Sequence, residues 1–414
     1  MPRAVRTSLA LLAAAVLTAS CSAPAEKPSA SSTSATPSQT PPLAPPAQVT
    51  PVLATVVAAP VPVPTTDGKR HLAYELQLTN TQAANVTLTS LSVRAAGRDL
   101  LVLAGARLAY WTRVLGASQT PTATLGPGQA GIVWLDVVLD ASAPVPTELS
   151  HTIAVDLAAP MPPLLPAHMS EDGVAPVTVS TEQPAVISPP LDGPRWLDGD
   201  SCCDMTGHRM AMNPLDGSLW AAERFAVDYV QLSPNGTLFS GDRAAPQSYP
   251  YFGAAIHAVA DGPVVAVLDG LPEQVAGRSP TGLPLDQYGG NHVVQDISGG
   301  GAEKRYAFYA HLQTGSVKVK PGDQLSTGQV IANLGNSGNT DAPHLHFHVM
   351  STPDPLRSNG LPFVFKDFSL AGRLASMDAL DAVMAGAPAP MAPGFAPRDE
   401  SGVGPLVLDV MSYA

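Results

Sequence analysis

Hydrophobic and polar residues alternate with a period of two in four runs of the first half of the chain. These runs cover residues 72–78, 86–93, 131–139 and 151–157, and segments rich in glycine, asparagine and proline separate them. Successive side chains of a β-strand point to opposite faces of a sheet, so a period of two predicts strands that are buried on one face. The pattern therefore predicts an antiparallel, immunoglobulin-like β-sandwich over residues 51–165.

A second series of apolar runs covers residues 254–268 and 291–330 and leads to a strictly alternating segment at residues 343–349. Residues 335–341, before this segment, are rich in glycine, asparagine, serine and aspartate, which form turns. Within the alternating segment three histidines have one parity and three apolar residues have the other: His344, His346 and His348 against Leu345, Phe347 and Val349. The sequence thus predicts an all-β protein in which three imidazoles lie on one face of a strand.

Three imidazoles on one face of a strand indicate metal chemistry. Imidazole is the commonest zinc ligand in proteins, and two imidazoles at positions i and i+2 can reach one ion or its bound water. The alternative is a half-buried strand whose histidines only make hydrogen bonds, because a short motif is a hypothesis until its context supports it. Donor residues elsewhere in the chain decide between these two interpretations.

Composition narrows the fold class and the partners. With 414 residues the chain is long enough for two domains, and 43 prolines, 35 glycines and only 14% charged residues favour strands, turns and linkers over long helices. Carboxylates outnumber lysine and arginine by 34 to 22, and no basic stripe is interleaved with aromatic residues. This balance argues against nucleic acid as a partner. No feature of the sequence indicates an oligomeric state.

Proline-rich stretches divide the chain into regions. We expect residues 166–194 to be a linker, residues 195–372 to be a second β-domain, and residues 373–414 to be a C-terminal tail with a helical stretch near residues 374–385. The sandwich is expected to be a spacer or a binding module. Its histidines have no partners at ligand spacing, so we expect them at the surface or the edges: His71, His151 and His168.

The first residues have the features of an export signal. Arg3 and Arg6 precede an apolar run at residues 9–17, which is too short to span a membrane permanently. The run ends in Leu-Thr-Ala-Ser-Cys, which resembles a bacterial lipobox with Cys21 as the lipidated residue. The alternative is ordinary secretory cleavage near residues 23–25. Both interpretations predict export.

The segment after the signal is expected to be a tether. Residues 1–20 would be removed as a signal peptide, and residues 21–50 consist almost entirely of serine, alanine, threonine, proline and glutamine. Such a segment cannot bury enough apolar area to offset its ordering entropy, so we expect it to be disordered. With Cys21 lipidated, the protein would be anchored on the extracytoplasmic side of a bacterial membrane. No second apolar stretch reaches spanning length, so the membrane is a partner only through this lipid.

Several segments of the second domain together resemble the lysostaphin/LytM-type zinc metallopeptidases. They are Ala310-His311-Leu312, Pro321-Gly322-Asp323, Gly328-Gln329-Val330-Ile331, Gly335-Asn336-Ser337-Gly338 and His344-Leu345-His346-Phe347, with upstream segments at residues 252–265 and 288–294. The resemblance covers about residues 205–350 and implies a LytM-type antiparallel β-sheet peptidase domain. It also implies Zn²⁺ as the cofactor and the stem peptides or cross-bridges of bacterial peptidoglycan as substrates.

The resemblance implies roles for residues at matching positions. Asp228 and His346 match zinc ligands of the family, whereas His344 and His311 match histidines that act in catalysis without binding the metal. These two histidines would take a proton from the water that zinc activates and would stabilise the oxyanion of the tetrahedral intermediate. The implied function is that of a zinc-dependent metalloendopeptidase that cleaves peptide cross-links of peptidoglycan.

One position departs from the family pattern. We expect a strand at residues 224–230 with Arg224, Ala226 and Asp228 on one face, and Arg224 stands where the family has its first histidine ligand. Arginine stays charged and has no lone pair to donate, so it cannot bind zinc. The favoured replacement is His208. The alternatives are a site with only two protein ligands or one of three other histidines: His257, His292 and His348.

Two residues near the expected ligands have roles of their own. His348 stands where the family usually has glutamate, and we expect it to orient a ligand. Arg224 is expected either to bind the backbone or a substrate carboxylate, while His208 completes the site, or to pair with Asp228 and keep the metal out. The second outcome favours a degenerate domain that binds cell wall or activates another cell-wall hydrolase. A structural surface lipoprotein is a third interpretation.

Two adjacent cysteines precede the expected site. If Cys21 carries lipid, Cys202 and Cys203 remain as an even pair in an oxidising compartment. They are expected to form either a vicinal disulfide or two buried thiols. Neither alternative gives them a catalytic role.

Overall fold

The computed structural model describes residues 47–414, except for the side chains of residues 117–119. The expected signal peptide, Cys21 and nearly all of the expected tether lie outside the described residues. Residues Gln48–Ala414 form one compact unit. Among residues 47–414 no helix is both long and apolar enough to cross a membrane.

The first part of this unit is a β-sandwich. Its elements are β1 (Val52–Val56), β2 (Val63–Pro64), β3 (Lys69–Asn80), β4 (Val86–Ala95), β5 (Arg98–Ala104), α1 (Gly105–Tyr110), β6 (Thr112–Val114), β7 (Ala117–Pro121), β8 (Thr124–Leu125), β9 (Ala130–Asp140), β10 (Glu148–Leu157) and β11 (His168–Thr178). One sheet has the order β1-β3-β9-β6-β7, with β2 paired to β3, and the other has the order β11-β10-β4-β5, with β8 paired to β4. The four predicted runs lie in β3, β4, β9 and β10.

The core of the sandwich lies between its two sheets. Apolar side chains of β3 and β9 pack against those of β4 and β10, and all are almost fully buried: Leu72, Tyr74, Leu76, Val133, Leu135, Leu88, Leu91, Val93, Ile153 and Val155. Burial of each such side chain stabilises the fold by roughly 1.5–3 kcal/mol. The alternation along these four strands therefore accounts for their pairing into a two-layer structure.

The sandwich is larger than the predicted range. Strand β11 pairs with β10, so the expectation of a linker at residues 166–194 is wrong over this part. Glu171 is the one buried residue of β11, and the register between β10 and β11 shifts in two places. Because a polar edge strand with bulges lacks the period-two pattern, the sequence did not reveal it.

The second part of the unit contains a sheet of 11 strands, called here the large sheet. The elements of this part are β12 (Ala185–Ile187), β13 (Gly193–Gly199), α2 (Gly207–Met210), β14 (Asn213–Leu215), β15 (Ser218–Trp220), β16 (Val227–Gln231), β17 (Ala255–His257), β18 (Gly262–Leu268), β19 (Asn291–Asp296), β20 (Tyr306–Leu312), β21 (Gln324–Leu325), β22 (Val330–Asn333), β23 (Leu345–Met350), β24 (Gly360–Leu361), β25 (Phe363–Phe365), β26 (Phe368–Arg373), α3 (Met377–Met384), β27 (Arg398–Glu400) and β28 (Asp409–Tyr413), with short 3-10 helices at Pro246–Ser248 and Leu285–Gln287. The large sheet has the order β21-β18-β19-β20-β23-β16-β13-β28-β26-β27, with β24 paired to β23. The prediction of an all-β fold is confirmed.

The C-terminal residues belong to the large sheet. Strand β28 lies between β13 and β26, and its Met411 is fully buried opposite Trp196 of β13. The expectation of a tail at residues 373–414 is therefore wrong. The strand has only five residues, and its partner β13 lies more than 200 residues earlier in the chain, so no local pattern indicated the pairing.

The two parts share a buried interface. Val63 and Ala73 of the sandwich form a small apolar cluster with Cys202, Phe225 and Val364 of the second part. Strand β3 is consequently covered on both faces along residues 71–76. Cys202 forms a disulfide with the neighbouring cysteine, which is one of the two expected alternatives.

Two sandwich histidines are buried, contrary to the expectation that they lie at the surface. His151 is fully buried, and its Nε2 lies 2.8 Å from the hydroxyl of Tyr74. His71 is 6% exposed, and its Nδ1 lies 2.8 Å from a carboxylate oxygen of Asp136. His151 has the same parity in β10 as the core residue Ile153, so the strand pattern itself carried the signal.

Candidate metal centre

Two neighbouring strands of the large sheet bring Asp228 and His346 together. Strands β16 and β23 are antiparallel, and Asp228 is directly opposite His346 in their register. Directly opposite residues of an antiparallel pair have their side chains on the same face, a few ångströms apart. Accordingly, Oδ1 of Asp228 lies 3.0 Å from Nδ1 of His346.

His344 and His311 lie beside this pair. His344 precedes β23, and its Nε2 lies 3.3 Å from Oδ1 of Asp228. His311 is in β20, and its ring centroid lies 4.6 Å from that of His344 and 5.7 Å from that of His346. In β20 the residue opposite His346 is Ala310, so strict alternation would turn His311 to the other face. The φ of 58° at His311 breaks this alternation, and such a conformation is uncommon for a non-glycine residue.

His208 approaches the same carboxylate from a different segment. It is in the short helix α2, whose first turn is capped by the side chain of Thr206. Its Nε2 lies 3.4 Å from Oδ1 of Asp228, and its Nδ1 lies 3.2 Å from the carbonyl oxygen of Ala226. The ligand atoms of His208, Asp228 and His346 all lie within 4.8 Å of one another. These three residues could therefore hold a metal ion.

A second group of donors overlaps the first. The ring nitrogens of His311, His344 and His346 also lie within 4.8 Å of one another. His346 belongs to both groups, so the five residues form one continuous cluster. The first group combines two imidazoles with a carboxylate, which is a donor set that catalytic zinc sites use.

Arg224 lies outside this cluster. The strand that we expected at residues 224–230 begins only at Val227, so Arg224 lies in the preceding turn and does not share a strand face with Asp228. Its guanidinium instead binds Glu75 of β3 in the sandwich, with Nε at 3.0 and 2.9 Å from the two carboxylate oxygens. The partner is thus neither the backbone, nor a substrate carboxylate, nor Asp228. No sequence pattern pointed to Glu75, which is 149 residues away.

His348 contacts the cluster through His346. It is 1% exposed, and its Nδ1 lies 2.9 Å from Nε2 of His346. The Nε2 of His348 is buried and has no hydrogen-bond partner among the described residues. If Nε2–H of His346 donates to His348, Nδ1 of His346 keeps its lone pair on the side of Asp228, which is the tautomer that a metal ligand needs.

The two other histidines that were alternatives for the third ligand lie apart from the donors. His292 lines the same cleft, and its Nδ1 lies 2.8 Å from the carbonyl oxygen of Gly290. His257 has its Nδ1 at 2.9 Å from the carbonyl oxygen of Gly328 and its Nε2 at 2.9 Å from Asp192. Within residues 47–414 neither histidine belongs to a group of converging donors.

Burial and charge shift the ionisation of the cluster in opposite directions. Burial would raise the pKa of Asp228, but His208 and His344 outweigh it and hold the pKa well below its usual range. Burial would lower the pKa of His208, but the carboxylates of Asp228, Asp200 and Glu223 raise it to about 9. The cluster therefore holds a carboxylate and a proton-bearing imidazole side by side, and a metal would have to displace that proton.

The pKa values of His344 and His311 are shifted in opposite directions. Burial would lower the pKa of His344, but its contact with Asp228 more than offsets this, and the pKa lies above its usual value. Burial and the neighbouring His344 and His346 hold the pKa of His311 well below its usual value. His344 therefore tends to carry a proton, whereas His311 tends to stay neutral with a lone pair on its ring, and two imidazoles in different protonation states suit acid–base chemistry.

The cluster lies at the base of a cleft of about 950 Å³. Six histidines and seven carboxylates line this cleft, and Arg357 is the one lysine or arginine of its lining in the described part of the chain. Arg357 is itself paired with Asp216 and Asp354. The cleft is therefore acidic and large enough for a peptide segment.

Part of the chain is similar to known proteins. Residues 249–358 match the family model described as Peptidase family M23. The glycyl-glycine endopeptidase ALE-1 of Staphylococcus capitis is 38% identical over 64 residues, which are 16% of this chain and 17% of that protein. Lysostaphin of Staphylococcus simulans is 35% identical over 79 residues, which are 19% of this chain and 15% of that protein. Each match therefore spans less than a fifth of the relative's length.

Solved structures show similarity over larger parts of the chain. The catalytic domain of lysostaphin from S. simulans aligns with 41% of this chain and 84% of its own length, at 20% identity and a TM-score of 0.22. A zinc-containing peptidase from Vibrio cholerae aligns with 70% of this chain and 80% of its own length, at 15% identity and a TM-score of 0.21.

The family match includes part of the cluster. His311, His344 and His346 lie inside residues 249–358, whereas His208 and Asp228 precede them. The resemblance expected from the sequence motifs is confirmed. Residues 249–358 of this chain are therefore similar to Peptidase family M23.

Proposed function

We propose that this protein is a zinc-dependent metalloendopeptidase that cleaves peptide cross-links of bacterial peptidoglycan. The observation that carries the proposal is the convergence of His208, Asp228 and His346 beside His311 and His344 at the base of one cleft. The relatives named above are a glycyl-glycine endopeptidase and lysostaphin, and this likeness supports a peptide substrate from the cell wall.

The donor set fits zinc. His208, Asp228 and His346 are three protein ligands of the types that catalytic zinc sites take, and such sites keep a further position open towards the cleft. The buried His348 fits the same assignment, because its Nδ1 lies 2.9 Å from Nε2 of His346 and is placed to orient that ligand. Bound there, zinc would polarise the scissile carbonyl and make a water molecule more acidic.

His311 and His344 are oriented to move protons. Nδ1 of His311 lies 2.8 Å from the carbonyl oxygen of Ser337, and Nδ1 of His344 lies 2.8 Å from that of Ala342. A carbonyl oxygen can only accept, so each Nδ1 carries the proton of its neutral ring. Nε2 of His311 is then free to accept a proton from water, whereas Nε2 of His344 lies 3.3 Å from Oδ1 of Asp228 and, when it carries a proton, can donate a hydrogen bond to the oxyanion.

The same proposal implies a cellular location for the protein. A peptidoglycan peptidase acts outside the cytoplasm, which agrees with the expected export signal and with Cys21 as a lipid anchor. The acidic lining of the cleft favours neutral or amine-bearing peptide segments over strongly acidic ones.

The proposal is tested by zinc content together with digestion of purified peptidoglycan, using the full chain. We expect about one zinc per chain, and we expect His346→Ala to lose both zinc and hydrolysis. His344→Ala and His311→Ala should keep zinc and lose hydrolysis by about 10²- to 10⁴-fold. His257→Ala removes an imidazole away from the cluster and should change neither quantity.

Two outcomes would contradict the proposal in different ways. A wild-type chain that binds one zinc but releases no peptide from peptidoglycan would indicate a degenerate domain that binds cell wall or activates another hydrolase. Loss of zinc from His344→Ala as complete as from His346→Ala would show that the division between ligands and catalytic histidines is wrong.

A further inference from the structure

A buried charge cluster joins the sandwich to the second part of the chain. Glu75 of β3 is fully buried and accepts from Arg224, which is 3% exposed. Arg209, which is 1% exposed, has its Nε 4.0 Å from the same carboxylate and its Nη2 3.4 Å from the carbonyl oxygen of Leu135 in β9. One sandwich carboxylate thus lies against two arginines from the segment that carries the donors.

These arginines lie next to the residues that orient His208. Arg209 follows His208 directly in α2. Arg224 is two residues before Ala226, whose carbonyl oxygen lies 3.2 Å from Nδ1 of His208. The segment with the carbonyl that contacts this imidazole is therefore bonded to Glu75 through Arg224, and the helix that carries the imidazole lies beside Glu75 through Arg209.

We propose that Glu75 is a positioning residue for the His208 ligand, so that the sandwich is part of the framework of the metal centre. The inference rests on the proposed function, because it assumes that His208 binds zinc. Helix α2 has only four residues, and the turn around Arg224 has no regular structure, so neither segment is held in place by a long element of its own. The sandwich supplies that rigidity through a two-pronged contact with Arg224 and through the apolar cluster around Ala73.

The experiment measures metal binding without turnover. Zinc affinity of the full chain is determined by competition with a chromogenic chelator, and the visible spectrum of the Co²⁺-substituted protein reports the ligand geometry. Glu75→Gln keeps the shape but removes the charge, and we expect about tenfold weaker zinc binding and an altered Co²⁺ spectrum. Glu75→Asp keeps the charge and should recover part of the affinity.

A matched control separates positioning from general damage to the sandwich. Glu171 is equally buried in the sandwich but contacts neither arginine, since its Oε1 accepts from the backbone of Val52. Glu171→Gln should therefore leave the zinc affinity and the Co²⁺ spectrum unchanged. If Glu75→Gln does not fold, Arg224→Lys is used, because lysine keeps the charge but not the two-pronged contact.

The possible results are distinct. Weaker zinc binding in the folded Glu75 or Arg224 variants, with Glu171→Gln unchanged, supports the inference. Wild-type zinc affinity in a folded Glu75→Gln or Arg224→Lys protein overturns it, while the proposed function stands. Equal weakening in Glu171→Gln also overturns it, because the effect then reflects the sandwich as a whole. A wild-type chain that binds no zinc refutes the proposed function itself.

Discussion

At the scale of single residues, two buried carboxylates of the sandwich have very different partners. Glu75 receives a guanidinium, which compensates its charge. Glu171 accepts one backbone N–H, from Val52, through Oε1, and its Oε2 has no partner among the described residues. Burial raises the pKa of Glu171 from 4.5 to about 7. The same residue type thus faces an arginine in one strand and lacks a charged partner in another, where burial raises its pKa.

The raised pKa of Glu171 predicts a pH-dependent stability. Its folded-state pKa of about 7 lies above the ordinary value of 4.5, so its stabilising contribution is fully present below pH 4.5 and is lost as the pH rises through 7. Glu171→Gln has no charge to bury. We expect it to gain on the order of 1–2 kcal/mol relative to wild type between pH 5 and pH 8, after allowance for solvent screening.

Urea unfolding at several pH values measures this difference. The unfolding midpoints of wild type and Glu171→Gln should separate as the pH increases, with the variant more stable at pH 8. Parallel midpoints from pH 5 to pH 8 would show that Glu171 keeps an ordinary pKa.

At the scale of elements, the position of a strand in the large sheet decides what its residues do. Strand β23 lies between β16 and β20, so its histidines meet Asp228 on one side and His311 on the other. Strand β28 lies farther along the same sheet, where it pairs with β13 on one side and with β26 on the other. The last residues of the chain therefore contribute to the stability of the sheet that carries the metal centre.

Shortening one side chain of β28 tests this role. Met411 is fully buried between Trp196 and Leu370 in the strand register. We expect Met411→Ala to lower the free energy of unfolding by about 2–5 kcal/mol, because it removes buried apolar contacts and leaves a cavity. Thermal and urea unfolding of the full chain measure the loss.

The control for this prediction is in the same segment. Ser401 is exposed, and Ser401→Ala should change the free energy of unfolding by less than about 0.5 kcal/mol. Equal stability of Met411→Ala and Ser401→Ala would restore the interpretation of residues 373–414 as a tail.

At the scale of the whole molecule, the sandwich and the large sheet belong to one compact unit. The chain as a whole is strongly acidic. The formal net charge is −12 at pH 7. Anionic membrane surfaces repel such a chain rather than attract it, so electrostatics would not retain it at a membrane. Membrane attachment would consequently depend on the lipid expected at Cys21.

The anchor is tested by partitioning in detergent. We expect the full-length protein produced in bacteria to enter the detergent phase and Cys21→Ala to enter the aqueous phase, because the variant lacks the site of lipid attachment. Ser22→Ala, the neighbouring substitution, should partition like wild type. Recovery of wild type and Cys21→Ala in the same phase would refute the anchor.

The sequence alone determined the features that depend on neighbouring residues. Alternation predicted strands β3, β4, β9 and β10 and placed the histidines of residues 344–348 at one parity, because side-chain direction in a strand is a local property. The motifs around these histidines were enough to predict the resemblance to a metallopeptidase family that the match over residues 249–358 confirms. The candidate donors Asp228 and His346 were named from that resemblance, and their strand pairing brings them together.

Only the tertiary structure decided which distant residues meet. It began β16 only at Val227, after Arg224, paired that arginine with Glu75 in a different sheet, and brought His208 within 3.4 Å of Asp228. It also turned a polar segment into β11 and the last residues into β28. Each of these contacts joins segments that are distant in the sequence or whose pairing no local pattern predicts. Their pairing is selected by burial and charge compensation over the whole fold, which no local window of sequence contains.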